Sequence, residues 1–347
     1  MAIVFDGPVT PDAATAFVRR VPTPANQVLN QLLPDRTFTS SSIDITEVTR
    51  TNRTAKFRTF DGRPHRTSRD FIQTRTVKLP PLSVANGIGE AERLQLEFAR
   101  TGGQSYSALA DAIYDDATNL VQEVRARMEL ARGDVLTDGK FTLAGENGLY
   151  LEADFGVPTD NFVTASTVWT DFANSQIIRD MRAWVQQYVN LNGFRPGGFV
   201  CSESVVGYML QNAEVRALSA SLAGSPQLVT EQALAAALAA FRLPPLLFTY
   251  DTKLDVDGVT TEVLDPAKVI FTPPNPADLG YTAWGITATA LELVNSPKTD
   301  FSFDDAPGIV GLVVKGDSVP FTEETVVDAV GMPVLQQPKL LMVADVA

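Results

Sequence analysis

The sequence predicts an α+β fold in which a projecting β-ribbon precedes a long helix and an inserted α/β domain separates two β-rich regions. Three observations support this prediction. Residues 51–80 have the composition of a basic two-stranded ribbon, residues 104–132 contain neither glycine nor proline, and residues 176–290 alternate helix and strand patterns. A chain of 347 residues can bury a substantial core in two domains or one elongated domain.

The basic ribbon, residues 51–80, separates the charge of the chain. It holds eight basic and two acidic side chains, a local charge of +6, whereas residues 81–347 hold 16 basic and 34 acidic side chains, a charge of −18. This separation predicts that the basic ribbon docks on a neighbouring copy of the acidic chain. The candidate contact residues are Arg53, Lys56, Arg58, Arg63, Arg66, Arg69, Arg75 and Lys78.

The alternating pattern of residues 53–60 predicts one strand of this ribbon, and residues 71–79 predict the other. Residues 61–64, Asp-Gly-Arg-Pro, supply the turn. Because an isolated hairpin is marginally stable in water, we expect it to lie on a surface. Two alternatives remain: a solvated hairpin with a charged rim, and a nucleic-acid arm, which the acidic bulk of the chain disfavours because it would repel phosphate.

The first fifty residues are predicted to form an arm punctuated by prolines. One short helix is expected over residues 24–33, with Thr23 as N-cap, Pro24 at its first position and Pro34 as its stop. The later half of this helix is apolar and must rest on a surface, although the surrounding segment offers little core.

The longest predicted helix spans residues 104–132 and ends at Gly133. At ~1.5 Å per residue it would be about 43 Å long, enough to form the spine of an elongated domain. Its apolar side chains recur at helical spacing. They are Leu109, Ile113, Leu120, Val124 and Met128.

The pattern of residues 176–290, in the middle of the chain, predicts a compact α/β region. Ser202 and Thr230 are placed to cap helices, and Asp257-Gly258 predicts a hairpin turn. Strands are expected at 199–201, 246–250 and 268–272.

After this region the tail returns to β structure. Strands are expected at 309–314, 325–330 and 339–343. We expect them to pair with the β-rich segment at 140–163, which would make the middle region an insertion.

Signals for chemistry are thin, and the sequence predicts no catalytic, cofactor-binding or metal site. His65 is the only histidine and lies in the basic ribbon, and Cys201 is the only cysteine, so no disulfide can form within one chain. Residues 255–258 begin like a calcium loop, but a hairpin turn explains them better. No apolar run reaches membrane-span length, and the N-terminal residues lack the basic character of a secretory signal.

Several segments, taken in order, resemble the major capsid proteins of tailed phages with the Hong Kong 97 type fold, specifically the lambda-like major capsid protein E group. The resemblance covers nearly the whole chain, and it depends on the order of the segments because none is a catalytic signature. The matching segments are TNRTAKFRTFDGRPH (51–65), LPPL (79–82), GEAERLQLEFAR (89–100), GKFTLAGENGLYLEADFG (139–156), NSQIIRDMRAWV (174–185), KVIFTPPNPADLGYTAWG (268–285) and PKLLMVAD (338–345).

The resemblance implies four parts. They are an N-terminal arm at 1–48, an extended loop at 49–82, a peripheral domain at 83–175 with 291–347, and an axial domain at 176–290. Copies would form hexamers and pentamers of an icosahedral shell around double-stranded DNA, in a virion assembled in the host cytoplasm. Certain relatives carry a fused scaffold before the arm, but here the hairpin starts near residue 50. A separate scaffolding protein is therefore expected, along with a portal and a decoration protein.

Some questions stay open under this resemblance. Certain relatives join neighbours through a lysine–asparagine isopeptide bond, and Lys56 is suitably placed, although the lambda-like group tends to use a cementing protein instead. An encapsulin-like compartment with the same fold, enclosing an enzyme cargo, is the alternative function. A lone soluble enzyme is a third possibility, which the absence of site residues disfavours.

Overall fold

A computed structural model describes residues 2–48, 57, 60, 72–90, 107–146, 148–218, 229–319 and 322–347. The α-helices of these ranges, numbered in chain order, are α1 (Pro11–Arg20), α2 (Ser107–Asp138), α3 (Ile177–Asn192), α4 (Glu203–Gln211), α5 (Ala213–Leu218), α6 (Glu231–Ala240) and α7 (Ala288–Asn295). The strands are β1 (Ala2–Ile3), β2 (Asp35–Thr37), β3 (Ser42–Val48), β4 (Ile72–Lys78), β5 (Pro81–Ile88), β6 (Lys140–Glu146), β7 (Leu149–Asp154), β8 (Phe162–Thr164), β9 (Gly198–Cys201), β10 (Leu246–Thr249), β11 (Lys253–Val256), β12 (Val259–Glu262), β13 (Lys268–Thr272), β14 (Gly280–Trp284), β15 (Val310–Lys315), β16 (Glu323–Leu335) and β17 (Met342–Asp345).

The first sheet is organised around the long strand β16. β15 pairs with the first half of β16, β14 pairs with its second half, and β5 pairs with residues 323–330, all antiparallel. β1 and β2 extend the sheet by pairing with β15 and β14. Helix α2 packs on this sheet through fully buried side chains such as Val121, Val124 and Val135, so helix and sheet share one hydrophobic core.

The predicted end of the spine helix at Gly133 is wrong, because α2 continues to Asp138. A Cβ at position 133 would lie 1.9 Å from the carbonyl oxygen of Val263, so this glycine permits a close approach of two backbones. The helix ends instead before Gly139, whose φ of +75° is the left-handed conformation common after a helix.

The predicted helix at 24–33 is also wrong. The arm helix is α1, which Thr10 caps by accepting a hydrogen bond from the Ala13 amide, and only Leu29–Gln31 form a short 3₁₀ turn in the predicted range. Leu32 and Leu33 are fully buried against the subunit's own core. The apolar residues of the arm therefore find their packing surface within the same chain.

The second sheet has the order β10-β9-β13-β17-β8 and is covered on both faces. Along β9 and β13, Val200 and Ile270 face the core shared with α2, whereas Phe199 and Phe271 face a second core that includes Met181 of α3. Because side chains alternate across a strand, one sheet joins both cores.

Several local predictions for the middle region are confirmed. Ser202 and Thr230 accept hydrogen bonds from Val205 and Ala233 at the starts of α4 and α6. β11 and β12 form the predicted hairpin, with positive φ at both Asp257 and Gly258. These features depend on residues adjacent in sequence, which explains why they could be predicted.

The predicted pairing of the tail with residues 140–163 is wrong for most of the tail. β15 and β16 pair with each other and with strands from elsewhere, while β6 and β7 form their own hairpin. Only β17 reaches the predicted segment, where it pairs in parallel with β8. The domain boundaries inferred from sequence stay a prediction.

Candidate inter-subunit surface

Within the ribbon, the structure describes residues 57, 60 and 72–80, and β4 pairs with β3, which precedes the ribbon, to form its base. The two strands are antiparallel from Ser42 opposite Lys78 to Val48 opposite Ile72, and Thr76 Oγ1 donates to Asp44 Oδ1 at 2.6 Å. The pairing therefore begins before residue 53, where the sequence pattern placed the first strand. The turn at 61–64 and the strand at 53–60 fall almost wholly outside the described residues.

Two of the eight predicted contact residues belong to this base. Lys78 is exposed at the end of β4, and Arg75 lies opposite Ile45 in the strand pair. Phe57, further along the ribbon, is fully exposed. Residues Arg53, Lys56, Arg58, Arg63, Arg66 and Arg69, together with His65, lie outside the described residues.

An acidic face, formed by the β6–β7 hairpin and the end of α2, is the surface that could receive such a ribbon. Glu146 pairs with Arg127 at 2.6 Å, and Lys140 Nζ lies 3.2 Å from Glu152 and 3.7 Å from Asp154. The face also includes two aspartates of α2. Its members are the carboxylates of Asp134, Asp138, Glu146, Glu152 and Asp154 and the cations Arg127 and Lys140, for a net charge of −3.

Partial burial perturbs the two helical aspartates of the acidic face. Desolvation raises the pKa of both Asp134 and Asp138, and the backbone amides of Thr142 and Lys140 that donate to their carboxylates oppose the rise. A cation brought to this face would stabilise the charged carboxylates and so offset part of the free-energy cost of their desolvation. The electrostatics therefore favour a positively charged partner.

An apolar groove of about 400 Å³ lies beside the acidic face. Its walls come from the start of β5, the middle of α2 and the β6–β7 hairpin, where Leu149 is 39% exposed and Tyr150 is 78% exposed. The apolar lining residues are Pro80, Pro81, Leu82, Met128, Ala131, Phe141, Leu143 and Leu149, and Ser83, Arg127, Glu146 and Gly331 complete the lining. Exposed apolar side chains with an acidic rim have the make-up of a protein-binding surface.

A buried ionic network holds α2 beneath this surface. Glu129, with no exposed area, accepts hydrogen bonds from the Leu29 amide at 2.9 Å and from Tyr250 at 3.0 Å, and pairs with Arg132 at 3.0 Å. Arg132 in turn donates to Asp35 at 2.5 Å and to Thr282 Oγ1 at 2.8 Å. One point of α2 thus connects to the arm, the first sheet and the segment after β10.

Sequence reasoning missed this network and the groove. The one signal available was the spacing of Glu129 and Arg132, three residues apart on a helix, which equally describes an exposed pair. Partners such as Asp35 and Tyr250 lie about a hundred residues away in sequence.

Cys201, the one cysteine of the sequence, is buried. Burial, followed by the nearby charges of Asp251 and Glu203, raises the pKa of the Cys201 thiol to about 12, so the reactive thiolate is scarce at neutral pH. Within the described ranges, no three histidine, cysteine or acidic side chains are grouped to hold a metal ion. None of the helices in the same ranges combines the length and hydrophobicity of a membrane span.

Two solved structures, one of a prophage protein and one of a phage-related protein, share the fold of this chain. A protein described as a capsid protein of a prophage from E. coli CFT073 aligns with a TM-score of 0.60 at 15% identity, covering 96% of this chain and 97% of its own. A phage-related protein from Bordetella bronchiseptica RB50 aligns with a TM-score of 0.52 at 12% identity, covering 99% and 98%. These similarities confirm the α+β fold of Hong Kong 97 type capsid proteins.

Sequence comparison assigns the family directly. No curated protein sequence matches the chain significantly. Residues 10–299, however, match the profile of the family described as phage major capsid protein E. The chain therefore belongs to the phage major capsid protein E family, a family of virion proteins that build the capsid from many copies and that is not a class of enzyme.

Proposed function

We propose that the chain builds the head shell of a tailed phage by placing its basic ribbon on the acidic face of a neighbouring copy. Repetition of this contact closes hexameric and pentameric rings, which tile an icosahedral shell around double-stranded DNA. The observation that carries the proposal is the match in charge, since a ribbon of +6 meets a face of −3. The contact arginines and lysines are the eight named from the sequence.

The apolar groove supports the same contact. Phe57 is fully exposed in its own subunit, and a phenylalanine side chain that stays in water forgoes the free energy of burial. The groove next to the acidic face offers apolar walls of suitable size on a neighbour. The ribbon would then combine an aromatic anchor with a ring of charged contacts, as high-affinity interfaces commonly do.

The remaining partners follow from the shell. A separate scaffolding protein, a portal and a decoration protein would complete the particle, with assembly in the host cytoplasm. Association of two negatively charged bodies is slowed by repulsion, and the basic ribbon supplies the local attraction that overcomes it.

A charge-swap experiment tests the contact. The variant Arg58→Glu/Arg63→Glu should fail to form rings at low salt, whereas Arg179→Glu/Arg182→Glu, the same charge change on the exposed face of α3, should assemble normally. Adding Glu152→Lys/Asp154→Lys to the ribbon variant should restore rings. Ring formation is measured by mass photometry between about 0.05 and 0.5 M NaCl, because screening weakens exposed charge contacts.

Two outcomes would contradict the proposal: unchanged assembly of the ribbon variant, or loss in both variants without rescue. The encapsulin-like alternative is separated by the contents of purified particles, which would hold protein cargo in place of double-stranded DNA. A monomer band alone on a denaturing gel of mature particles would exclude a covalent cross-link through Lys56.

A further inference from the structure

A second concave site lies away from the acidic face, between the arm, α2 and the segment after α7. It is a cavity of about 300 Å³, which is at the small end of ligand-binding pockets. Arg19, Arg125 and Arg132 line it, together with Asp35 and Trp284. Three arginines around one cavity stand out in a chain of net charge −13.

Two of these arginines have no carboxylate bound to them among the described residues. Arg19 is held in place by the backbone carbonyls of Ile309 at 3.1 Å, Asp305 at 2.7 Å and Pro307 at 3.1 Å. Arg125 donates to Thr23 Oγ1 at 3.1 Å. Burial lowers the pKa of both guanidinium groups, and the nearby charges of Asp305 on Arg19 and of Asp35 on Arg125 oppose this without forming an ion pair among the described residues. Such cations are strong attractors of an anion.

Arg132, the third arginine, already binds a carboxylate group of the same chain. The carboxylate of Asp35 accepts from Arg132 at 2.5 Å and from Trp284 Nε1 at 3.0 Å. Arg132 also pairs with the buried Glu129. Asp35 and Asp305 are both exposed, so solvent weakens the attraction of either carboxylate for the arginines, whereas Glu129 is fully buried against Arg132.

We infer that this cavity is a binding site for a carboxylate group, held by Arg19 and Arg125 beside the resident carboxylate of Asp35. The carboxylate of Asp35 repels a doubly charged phosphate more strongly than it repels a singly charged carboxylate. Guanidinium groups match the planar carboxylate geometry. Trp284, Met128 and Ile309 provide an apolar surface for the carbon body of the acid.

Direct binding of a simple carboxylate to the unassembled full-length chain tests this site. Benzoate is the probe, measured by isothermal titration calorimetry, and a dissociation constant on the order of 1 mM is expected for so small a ligand. Arg125→Gln should weaken binding about tenfold or more. The control Arg179→Gln, an exposed arginine on α3, should leave binding unchanged. Inorganic phosphate should bind more weakly than benzoate.

The inference is wrong if benzoate shows no saturable binding, if Arg125→Gln binds it as well as the parent does, or if phosphate binds better. Should Arg125→Gln fail to fold, Arg125→Lys gives the same information. It keeps the positive charge but removes the planar fork that binds a carboxylate through two hydrogen bonds, so it should weaken benzoate binding while preserving the fold.

The carboxylate could come from a small acid in solution or from an acidic side chain of another copy, and assembled particles distinguish these sources. If another copy supplies it, assembled shells lose the benzoate binding that free subunits have, and Arg125→Gln weakens assembly. If a small acid is the ligand, shells bind benzoate as free subunits do. Only this comparison between assembled shells and free subunits rests on the proposed function, because binding to free subunits requires no assembly.

Discussion

The two charged regions of α2 use the same residue types for different purposes. Glu129 and Arg132 are buried and fully engaged with the arm, the first sheet and Tyr250, whereas Arg127 and Glu146 pair at the surface, where Glu146 is 54% exposed. Removing one member of a buried pair leaves the other charge in a medium of low dielectric constant. When one member of an exposed pair is removed, water solvates the charge that remains. Burial therefore decides which charges hold the subunit together and which remain available to a neighbour.

The largest expected effect is on the buried network. Glu129→Gln should lower the free energy of unfolding by about 3 kcal/mol, because Arg132 loses its buried counter-charge and keeps only the exposed carboxylate of Asp35. Urea titration of unassembled subunits measures the change. Glu123→Gln, an exposed position on the same helix, is the matched control and should change stability by less than about 0.5 kcal/mol.

A double variant identifies the cause. If the charge left behind is what destabilises, Glu129→Gln/Arg132→Met should lose less stability than the sum of the two single variants. Additive losses would instead mean that the two side chains act independently, and the distinction between buried and exposed pairs drawn here would fail.

A smaller effect is expected at the surface pair. Glu146→Gln breaks a 2.6 Å ion pair but should lower the free energy of unfolding by no more than about 1 kcal/mol, because both groups are partly in water. Ring assembly at low salt should weaken in the same variant, because the acidic face loses a charge. A large loss of stability with normal assembly would reverse the roles assigned to the two regions.

The smallest effect concerns pH. Desolvation raises the folded-state pKa of Asp134 and Asp138, so their contribution to stability is present below the ordinary aspartate value of 3.8 and is lost as the pH rises through the raised value. Asp134→Asn/Asp138→Asn should therefore gain stability relative to the parent as the pH rises above about 4. Because both groups are partly exposed, the gain should stay below about 1 kcal/mol.

Urea titrations of both proteins between about pH 4 and pH 7 measure this difference. Asp111→Asn, an exposed position near the start of the described helix, serves as the control. A difference that grows as the pH falls would contradict the sign of the predicted effect.

Apart from the α+β fold and the family, which follow from the resemblance, what could be predicted from the sequence was local. The caps at Ser202 and Thr230 and the turn at Asp257-Gly258 depend on neighbouring residues, so each could be predicted without knowing the fold. Gly133 was misjudged because a glycine that ends a helix and one that admits another backbone look alike until Val263 is known to pack there.

The candidate site divides in the same way. The charge separation that points to the basic ribbon is a property of composition and could be read directly. The acidic face, in contrast, requires the β6–β7 hairpin to fold beside the end of α2, and the groove requires β5 to pair with β16, a contact between segments more than two hundred residues apart. The arm helix was missed because the Thr-Pro start signal occurs twice, at Thr10 and Thr23, and only tertiary packing selects the first.

The position of β17 means that the second sheet cannot be completed until the end of the chain has been synthesised. This strand lies inside the second sheet, between β13 and β8, yet the ribosome synthesises it after every other strand described. Until residues 342–345 emerge, β13 has an open edge and Ile270 and Phe271 lack a neighbour on that side. A chain truncated before residue 342 would leave this edge of β13 unpaired, so the second sheet is complete only when the last strand has been synthesised.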